Sequence, residues 1–465
     1  MRFESAAAKT PGTDEWWMAR LAKKLGSQLR DIDLLEKWME GKPPLPYPDK
    51  QTPSFRRLQE IARINLAEVI ISAMTDRMQP LAMSSALERD SDGDDYVRKL
   101  WDDAHAEAAF EQAIEWMLVC RRSALMVGRK NPADPESELL LTAEHPSQIA
   151  WEVDPRDPSV VVAALKIYRD DINDQDVAVL FRPGYQRIAT HRGNTMLPKL
   201  NATGWSILPT LWELDDLPEA PLHDGEIPVY PMENRLGLGE FERHLPTLQR
   251  INHTILQRMV IVAMQAFRQR AAKGAPYKDK NGEVIDYDEV FENDPGSIWI
   301  LPAAVEMWES GQADLTPVLS SVKDDLMHLA VASRTPMHML TPDASGGSAE
   351  GAAMQREATI FKVEKTMKRV NPAIRRATSA MLRIQGETER AELSSLKVDW
   401  ANPRRSSLTE RAESARGAKE AGVPWEMRML KFAELTPSEV AEAKRQRAAD
   451  NLQEAVRATA RSVSP

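Results

Sequence analysis

The sequence predicts an α+β chain, predominantly helical, and three observations carry that reading. Apolar residues recur every three or four positions over long stretches near both ends. A central stretch consists of short β-branched and aromatic runs split by Pro, Gly, Asn and Asp, and one cysteine stands alone among 465 residues. At this length two to four compact units are expected, because a single core stops growing at roughly 250–300 residues. Apolar residues make up 42% and charged residues 28%, a globular balance, so the chain can bury a large core. Cys120 excludes a disulfide within the chain and implies a fold held by packing in a reducing compartment. Met1–Lys24 lacks an apolar signal region, and no run approaches the ~20 apolar residues of a membrane helix, so neither secretion nor membrane insertion is expected. With 60 Lys and Arg against 70 Asp and Glu, the net charge of −10 argues against a protein that wraps nucleic acid in a basic surface. It leaves open one that lets DNA pass.

In chain order, Trp17, Leu21 and Leu25, then Leu29, Ile32 and Leu35 with Trp38, predict two helices, stopped by Gly41-Lys42-Pro43-Pro44-Leu45-Pro46. Leu58, Ile61, Leu66, Val69, Ile70 and Met74 predict one helix over Phe55–Met78, and Leu100, Trp101, Phe110 and Trp116 another over Asp95–Val119. The runs Ala124–Val127, Leu139–Thr142, Ile149–Val153, Val160–Tyr168, Val177–Phe181 and Arg187–His191 predict an antiparallel meander of five to seven strands lasting to about Trp212. Proline-rich Asp215–Val229 reads as a linker.

Pro246–Ala272 reads as a helix about 40 Å long. Its two adjacent apolar stripes predict two packing partners: Leu248, Ile251, Ile255, Met259, Val262 and Ala266 form one, and Leu256, Val260, Ala263 and Phe267 the other. Gly274–Gln312 breaks the periodicity, with a hairpin-type turn at Asn281-Gly282 and a short strand at Ser297–Leu301. Thr316 as cap and Pro317 at the first turn open the next helix, which ends before Pro336. Thr335–Gly347 reads as an exposed loop. Ser348 caps a helix to about Gln385, kinked by Pro372 near Lys368. A strand at Leu396–Trp400 and helices from Thr409 to Ala460 close the chain.

Catalytic motifs are missing. Gly41-Lys42 lacks the upstream glycine of a phosphate loop, Gly237-Leu238-Gly239 lacks the third glycine of a dinucleotide fingerprint, and Gly347-Ser348-Ala349-Glu350 fails the nucleophile elbow. Asp90-Ser91-Asp92-Gly93-Asp94-Asp95 has its glycine too early for a calcium loop, and Trp101 stands where a bidentate glutamate is needed, so a solvated loop is expected. His328 and His338 are split by Pro336, which disfavours zinc, and Cys120 after Met117-Leu118-Val119 reads as an inert buried thiol. No catalytic, metal or cofactor residues are expected.

Ile227-Pro228-Val229-Tyr230-Pro231-Met232-Glu233-Asn234-Arg235, and Thr335-Pro336 followed by Gly347-Ser348-Ala349-Glu350-Gly351, carry a resemblance. The first is similar to the "IPVV-x-F-x-N" strand entering the first stem helix of tailed-bacteriophage portal proteins of the siphophage type. The second is similar to the "T-x-P … S-x-E-A" passage between their second stem helix and tunnel helix. The resemblance spans roughly Trp16–Leu435 and implies a portal fold of wing, stem, clip and crown, assembled as a ring of about twelve subunits at one capsid vertex.

By position it implies a wing over 1–235, a first stem helix within 236–273, a clip over 274–312 and a second stem helix within 313–334. A tunnel loop over 335–347, a kinked tunnel helix within 348–386, a connector over 387–402 and a crown from 403 to 465 follow. It further implies double-stranded DNA passing through the channel, and as partners a terminase large subunit, a head-completion or adaptor protein, and major capsid and scaffold proteins. Neither membrane nor cofactor is implied. The setting would be the virion, with assembly in host cytoplasm. Tunnel-loop residues would be Thr335, Pro336, Met339, Pro342, Gly346 and Gly347. Glu283, Asp286, Asp288, Glu289, Glu292 and Asp294 would give the clip an acidic surface, in a segment of net charge −7. Leu256, Val260, Ala263 and Phe267 would pack subunits in the stem. Ser348–Gln385 carries net +5, with Arg356, Lys362, Lys365, Lys368 and Arg369, and is expected to neutralise acidic surface of a neighbour rather than touch DNA. The alternatives are a metal-dependent hydrolase built on Asp90–Asp95 or Asp286–Glu289, and a monomeric minor head or adaptor protein.

Overall fold

In the computed structural model the residues described are 10–48, 52–87, 93–131, 134, 136–193, 195, 197, 212–214, 225–266, 270–273, 278, 282–284, 306–309, 314–341, 349–404, 408–436 and 439–449. The chain mixes helix and strand and divides into two compact units. One comprises 1–43, 65–246 and 329–465, the other 44–64 and 247–328. Among the described residues no helix is long and apolar enough to cross a membrane.

The larger unit opens with α1 (Asp14–Met39), capped by Thr13, whose hydroxyl accepts from the Trp16 amide. This single helix replaces the two expected. Gly26, the one glycine within it, lies on its buried face, so nothing interrupts the ladder and Leu21, Leu25, Leu29, Ile32 and Leu35 form one buried stripe. The expected 55–78 helix is likewise two, α2 (Pro53–Ile61) and α3 (Leu66–Thr75). Asn65 separates them, because its side chain caps α3 by accepting from the Glu68 amide and donates to the Met39 carbonyl. Strand β1 (Pro80–Ser84) follows. Residues 95–119 split into α4 (Asp95–Asp103) and α5 (Ala106–Cys120) at His105, whose φ of 51° is left-handed.

The runs from Ala124 to His191 are strands, but they form two sheets rather than one meander. β2 (Arg122–Arg129) pairs with β3 (Leu139–Glu144) on one side and with β9 (Val229–Glu233) on the other. β4 (Ile149–Val153), β5 (Val161–Asp170), β6 (Gln175–Arg182), β7 (Tyr185–Arg192) and β8 (Glu213–Leu214) form a five-stranded antiparallel sheet in that order. Both faces of this sheet are covered. Leu165, Ile167 and Leu180 meet Met18, Leu21 and Leu25 of α1 on one face, while Trp151, Ala164, Val179 and Phe181 pack with Ala124 and Val229 on the other. Two-sided burial explains the near-continuous apolar composition of β5 and β6. Each fully buried Leu, Ile or Phe contributes about 1.5–3 kcal/mol.

Helix α6 (Leu245–Ala266) follows β9, and the unit boundary falls between Pro246 and Thr247. The helix ends earlier than expected, because Arg270–Lys273 is strand β10, antiparallel to β11 (Glu306–Glu309). Between them Lys278 bridges Val284, and Gly282 takes a φ of 86°, the conformation a tight turn requires. The predicted strand Ser297–Leu301 lies outside the described residues. In the smaller unit α6 and α7 (Thr316–Ser333) are joined by Arg250 and Asp325, and Asn252 Oδ1 accepts from the Ile64 amide.

Back in the larger unit, a one-turn helix α8 (Met337–Leu340) precedes α9 (Ala349–Ile384), which contains Pro372. Helix α9 packs against β9 and β2. Trp101 of α4 donates from Nε1 to Thr378 Oγ1 of α9 at 3.1 Å, in a contact where both residues are buried. Strand β12 (Lys397–Trp400) pairs with β1, and α10 (Leu408–Glu420) and α11 (Trp425–Lys431) follow.

Candidate functional site

The segment between β9 and α6 is held by side chains that reach it from distant positions. Asn234, 5% exposed, accepts from the Arg235 amide and from Arg369 at 3.1 Å through Oδ1, and donates to the Leu238 carbonyl. Leu236 is left-handed with φ 61° yet 71% exposed. Gly239 has no room for a side chain, since an added Cβ would lie 2.6 Å from the Val119 carbonyl oxygen. The amide of Glu240 donates to the Leu118 carbonyl at 2.7 Å. Arg121 then clamps the segment, giving Glu242 two bonds at 2.9 and 2.7 Å and Asp31 a third at 2.8 Å. Its guanidinium pKa stands above the ordinary value. Burial pulls it down, and the bonds to Glu242 and Asp31 outweigh that.

The C-terminal end of α7 arrives beside this segment and is closed by α9. Arg334 is left-handed with φ 56°, which turns the chain into Thr335. Ser333 Oγ donates to the Leu329 carbonyl, Thr359 donates to the Arg334 carbonyl at 2.6 Å, and Lys362 donates to the Ser333 carbonyl at 2.7 Å. A lysine on terminal carbonyls satisfies orphan acceptors and complements the negative end of the helix dipole. Lys362 also pairs with Glu240 at 2.6 Å.

These three segments enclose a concave pocket of about 290 Å³. Arg235, Arg243, Arg334, Lys362, Lys365 and Arg369 line it, with Glu240 as the one carboxylate in its wall. Among the described residues Arg235, Arg243, Arg334 and Lys365 have no carboxylate partner. Desolvation lowers the Arg369 pKa, with Glu240 opposing that shift and Arg235 adding to it, and His244 is lowered by burial and then by Lys362. Such a pocket favours anions, and its lining holds the His244 imidazole but no Phe, Tyr or Trp.

Of the residues singled out in the sequence, Lys362, Lys365 and Arg369 line this pocket. Lys368 and Arg356 are exposed on the same helix and do not. Lys362 and Arg369, expected to meet a neighbour, bond within their own chain because the Asn234–Glu240 segment packs against α9. Thr335, Pro336 and Leu340 are buried and Met339 is half-buried on a helical turn, so this stretch is not the fully exposed loop expected. Pro342, Gly346 and Gly347 lie outside the described residues. Leu256 is 2% exposed, already covered within its own chain, Val260 is half-buried and Ala263 exposed, and Phe267 lies outside the described residues. Glu283 is exposed, while Asp286, Asp288, Glu289, Glu292 and Asp294 lie outside the described residues. Asp94 is 1% exposed rather than solvated: it caps α4 and pairs with Ser85 and Arg390. Arg235, Arg243, Arg334 and Glu240 were missed. Arg235, next to the Asn234 of the motif, was the one legible in sequence.

One further grouping has donor atoms suited to a cation. Glu36, Cys120 and His145 bring theirs within 4.8 Å of one another, from positions too far apart in sequence for any spacing rule. His145 Nε2 lies 2.7 Å from Glu36 Oε1, Nδ1 lies 2.6 Å from Ser147 Oγ, and the ring sits edge-on to Trp116. Burial, and then the Glu36 charge, push the Cys120 thiol far above its ordinary pKa. A metal would have to displace that proton and open the His145–Glu36 contact, so the grouping reads as a packed polar cluster. Cys120 is buried, as its apolar neighbours suggested.

No protein-family profile matches the chain, and no curated protein matches it. Among solved structures the chain is similar to a component of the neck of a native gene transfer agent particle, computed with C12 symmetry. The TM-score is 0.45 at 12% identity, over 89% of this chain and 98% of that one. A chain of the neck of an empty particle of the same kind, computed with C6 symmetry, gives a TM-score of 0.47 at 15% identity over 87% and 94%. A chain of the native gene transfer agent virion gives 0.45 at 13% over 87% and 94%.

Proposed function

We propose that the chain is a portal protein of a tailed phage or phage-like particle. It would be one subunit of a ring at a single capsid vertex, through which double-stranded DNA enters and leaves. The observation that carries this reading is an ordered set of elements: β9 ends just before the motif residue Asn234, α6 follows, an insert bearing β10 and β11 separates it from α7, and Thr335-Pro336 leads to the 36-residue α9. In that reading α6 and α7 are the stem, the insert is the clip, 335–347 the tunnel loop and α9 the tunnel helix, with the wing before them and the crown after. The packaging motor and a head-completion protein would dock at the clip, and capsid and scaffold proteins at the wing.

Native mass spectrometry of the purified chain tests the proposal. A ring near 600 kDa is expected from the 52.2 kDa chain. A species that stays at the monomer mass at all concentrations overturns it in favour of an adaptor. Turnover of nucleic acid or phosphate esters with magnesium, manganese or zinc would overturn it in favour of a hydrolase.

A further inference from the structure

We infer that the pocket between the 234–244 segment, the end of α7 and α9 receives carboxylates of a second copy of this chain, supplied by the glutamate stripe of α5, in a head-to-tail contact that builds the ring. The inference rests on the portal reading and names the contact that would assemble it.

Two surfaces of the larger unit are electrostatically unbalanced in opposite senses. In the pocket, six cations face one carboxylate, and Arg235, Arg243, Arg334 and Lys365 have no acidic partner among the described residues. On α5, Glu107 and Glu111 are exposed and Glu115 half-exposed, spaced four residues apart on one face, with no cationic partner among the described residues. Like charges at that spacing repel, so the isolated helix gains nothing from them. The Glu115 pKa is raised, first by burial and then by Glu111 and Glu68.

The repeats also match. Glutamates four residues apart lie about 6 Å apart along a helix, and Lys365 and Arg369 have that same separation on α9. A pocket of about 290 Å³ accommodates one or two side-chain carboxylates. Because donor and acceptor are different surfaces of one chain, the contact is heterologous, and repetition closes a ring or extends a filament.

DNA phosphate is the rival occupant. The portal reading itself argues against it, since a collar of unpaired cations binds duplex more tightly with every phosphate it neutralises, whereas a conduit must release it. The pocket's lining also holds no Phe, Tyr or Trp on which the bases of a single strand would stack, only the His244 imidazole.

Charge reversal tests the contact. One variant carries Arg235→Glu with Lys365→Glu, the other Glu107→Lys with Glu111→Lys. All four side chains are exposed and have no ionic partner among the described residues, so folding should survive, and circular dichroism with a melting curve checks this. At about 100 mM salt, where screening reaches about 10 Å, each variant alone should lose ring population about tenfold or more relative to the unaltered chain. Equimolar mixing of the two should restore rings, because each reversed pocket then meets a reversed stripe. Rings that persist in both variants, or mixing that rescues nothing, overturn the inference while leaving the portal reading standing. Intact rings that lose DNA retention only in the pocket variant overturn it in favour of phosphate. If the unaltered chain forms no ring at all, the portal reading fails first and this inference fails with it.

Discussion

Arg250 of α6 grips Asp325 of α7 through both guanidinium edges, Nε to Oδ2 at 2.9 Å and a terminal nitrogen to Oδ1 at 2.7 Å. The fork geometry fixes register as well as proximity, which a lysine cannot do. Asp325 is 8% exposed, and its bond and charge raise the Arg250 pKa. Arg250→Lys should therefore weaken the pairing of these helices even though charge is retained. The coupling of Arg250→Ala with Asp325→Ala in a double-mutant cycle should shrink on raising salt from about 0.1 to 1 M. A salt-independent coupling would mean that packing, not charge, joins them.

Gly239→Ala should be among the costliest small substitutions in the chain. Its Cβ would sit 2.6 Å from the Val119 carbonyl oxygen, and the backbone cannot retreat without losing the Glu240 amide bond to Leu118. We expect a loss of about 1–3 kcal/mol in urea unfolding. Gly237→Ala tests strain without collision, since its φ of 63° is left-handed but nothing lies within 4 Å of its added Cβ. Its loss should be smaller, about 1 kcal/mol.

His244 gives stability a pH dependence. Its folded pKa lies below the ordinary value of 6.5, lowered by burial and then by Lys362, so the folded chain holds it neutral while the unfolded chain protonates it first. Stability from this residue is complete above the unfolded value. It falls as pH drops through about 6.5 toward the folded value, because the unfolded state then binds more protons. The urea midpoint should decline between about pH 7.5 and 5.5, and His244→Gln should flatten that decline. An unchanged slope in the variant would assign the pH effect elsewhere.

Trp101 and Thr378 form a buried polar contact that a near-isosteric change can break. Thr378→Val preserves shape but strands the indole N–H, at a cost of about 1–3 kcal/mol. Thr378→Ser keeps the acceptor and loses a methyl, at about 1 kcal/mol. If serine proves the more damaging, the contact is governed by packing.

Deletion of residues 342–347 tests the tunnel-loop assignment in assembled particles. Rings should form normally, since the buried Thr335, Pro336 and Leu340 are untouched, while retention or passage of DNA should be impaired. Full heads that hold DNA normally would remove the tunnel loop from the proposal.

The sequence by itself determined what is local. Six β-branched runs became strands because their residues favour extended backbone and turn residues bounded them. Pro246 and Pro317 marked helix starts, because proline is tolerated where an amide has no partner. Asn234 and Thr335-Pro336 pointed to segments that line or flank the pocket. Helix boundaries were less legible. The apolar period of 55–78 continues across the Asn65 cap, and that of 95–119 across left-handed His105, because periodicity reports which face is buried and is blind to one or two residues that leave the helix.

Only the tertiary structure decided which strands share a sheet, because pairing β2 with β9 depends on contacts about a hundred residues apart rather than on either strand's composition. Only it showed Asp94 buried against Arg390, or Lys362 and Arg369 bonded at home. Arg235, Arg334 and Lys365 are each an ordinary surface cation in sequence. They become a pocket because the fold brings the end of α7, the 234–244 segment and α9 together, and charge acts through distance in space, which chain order does not encode.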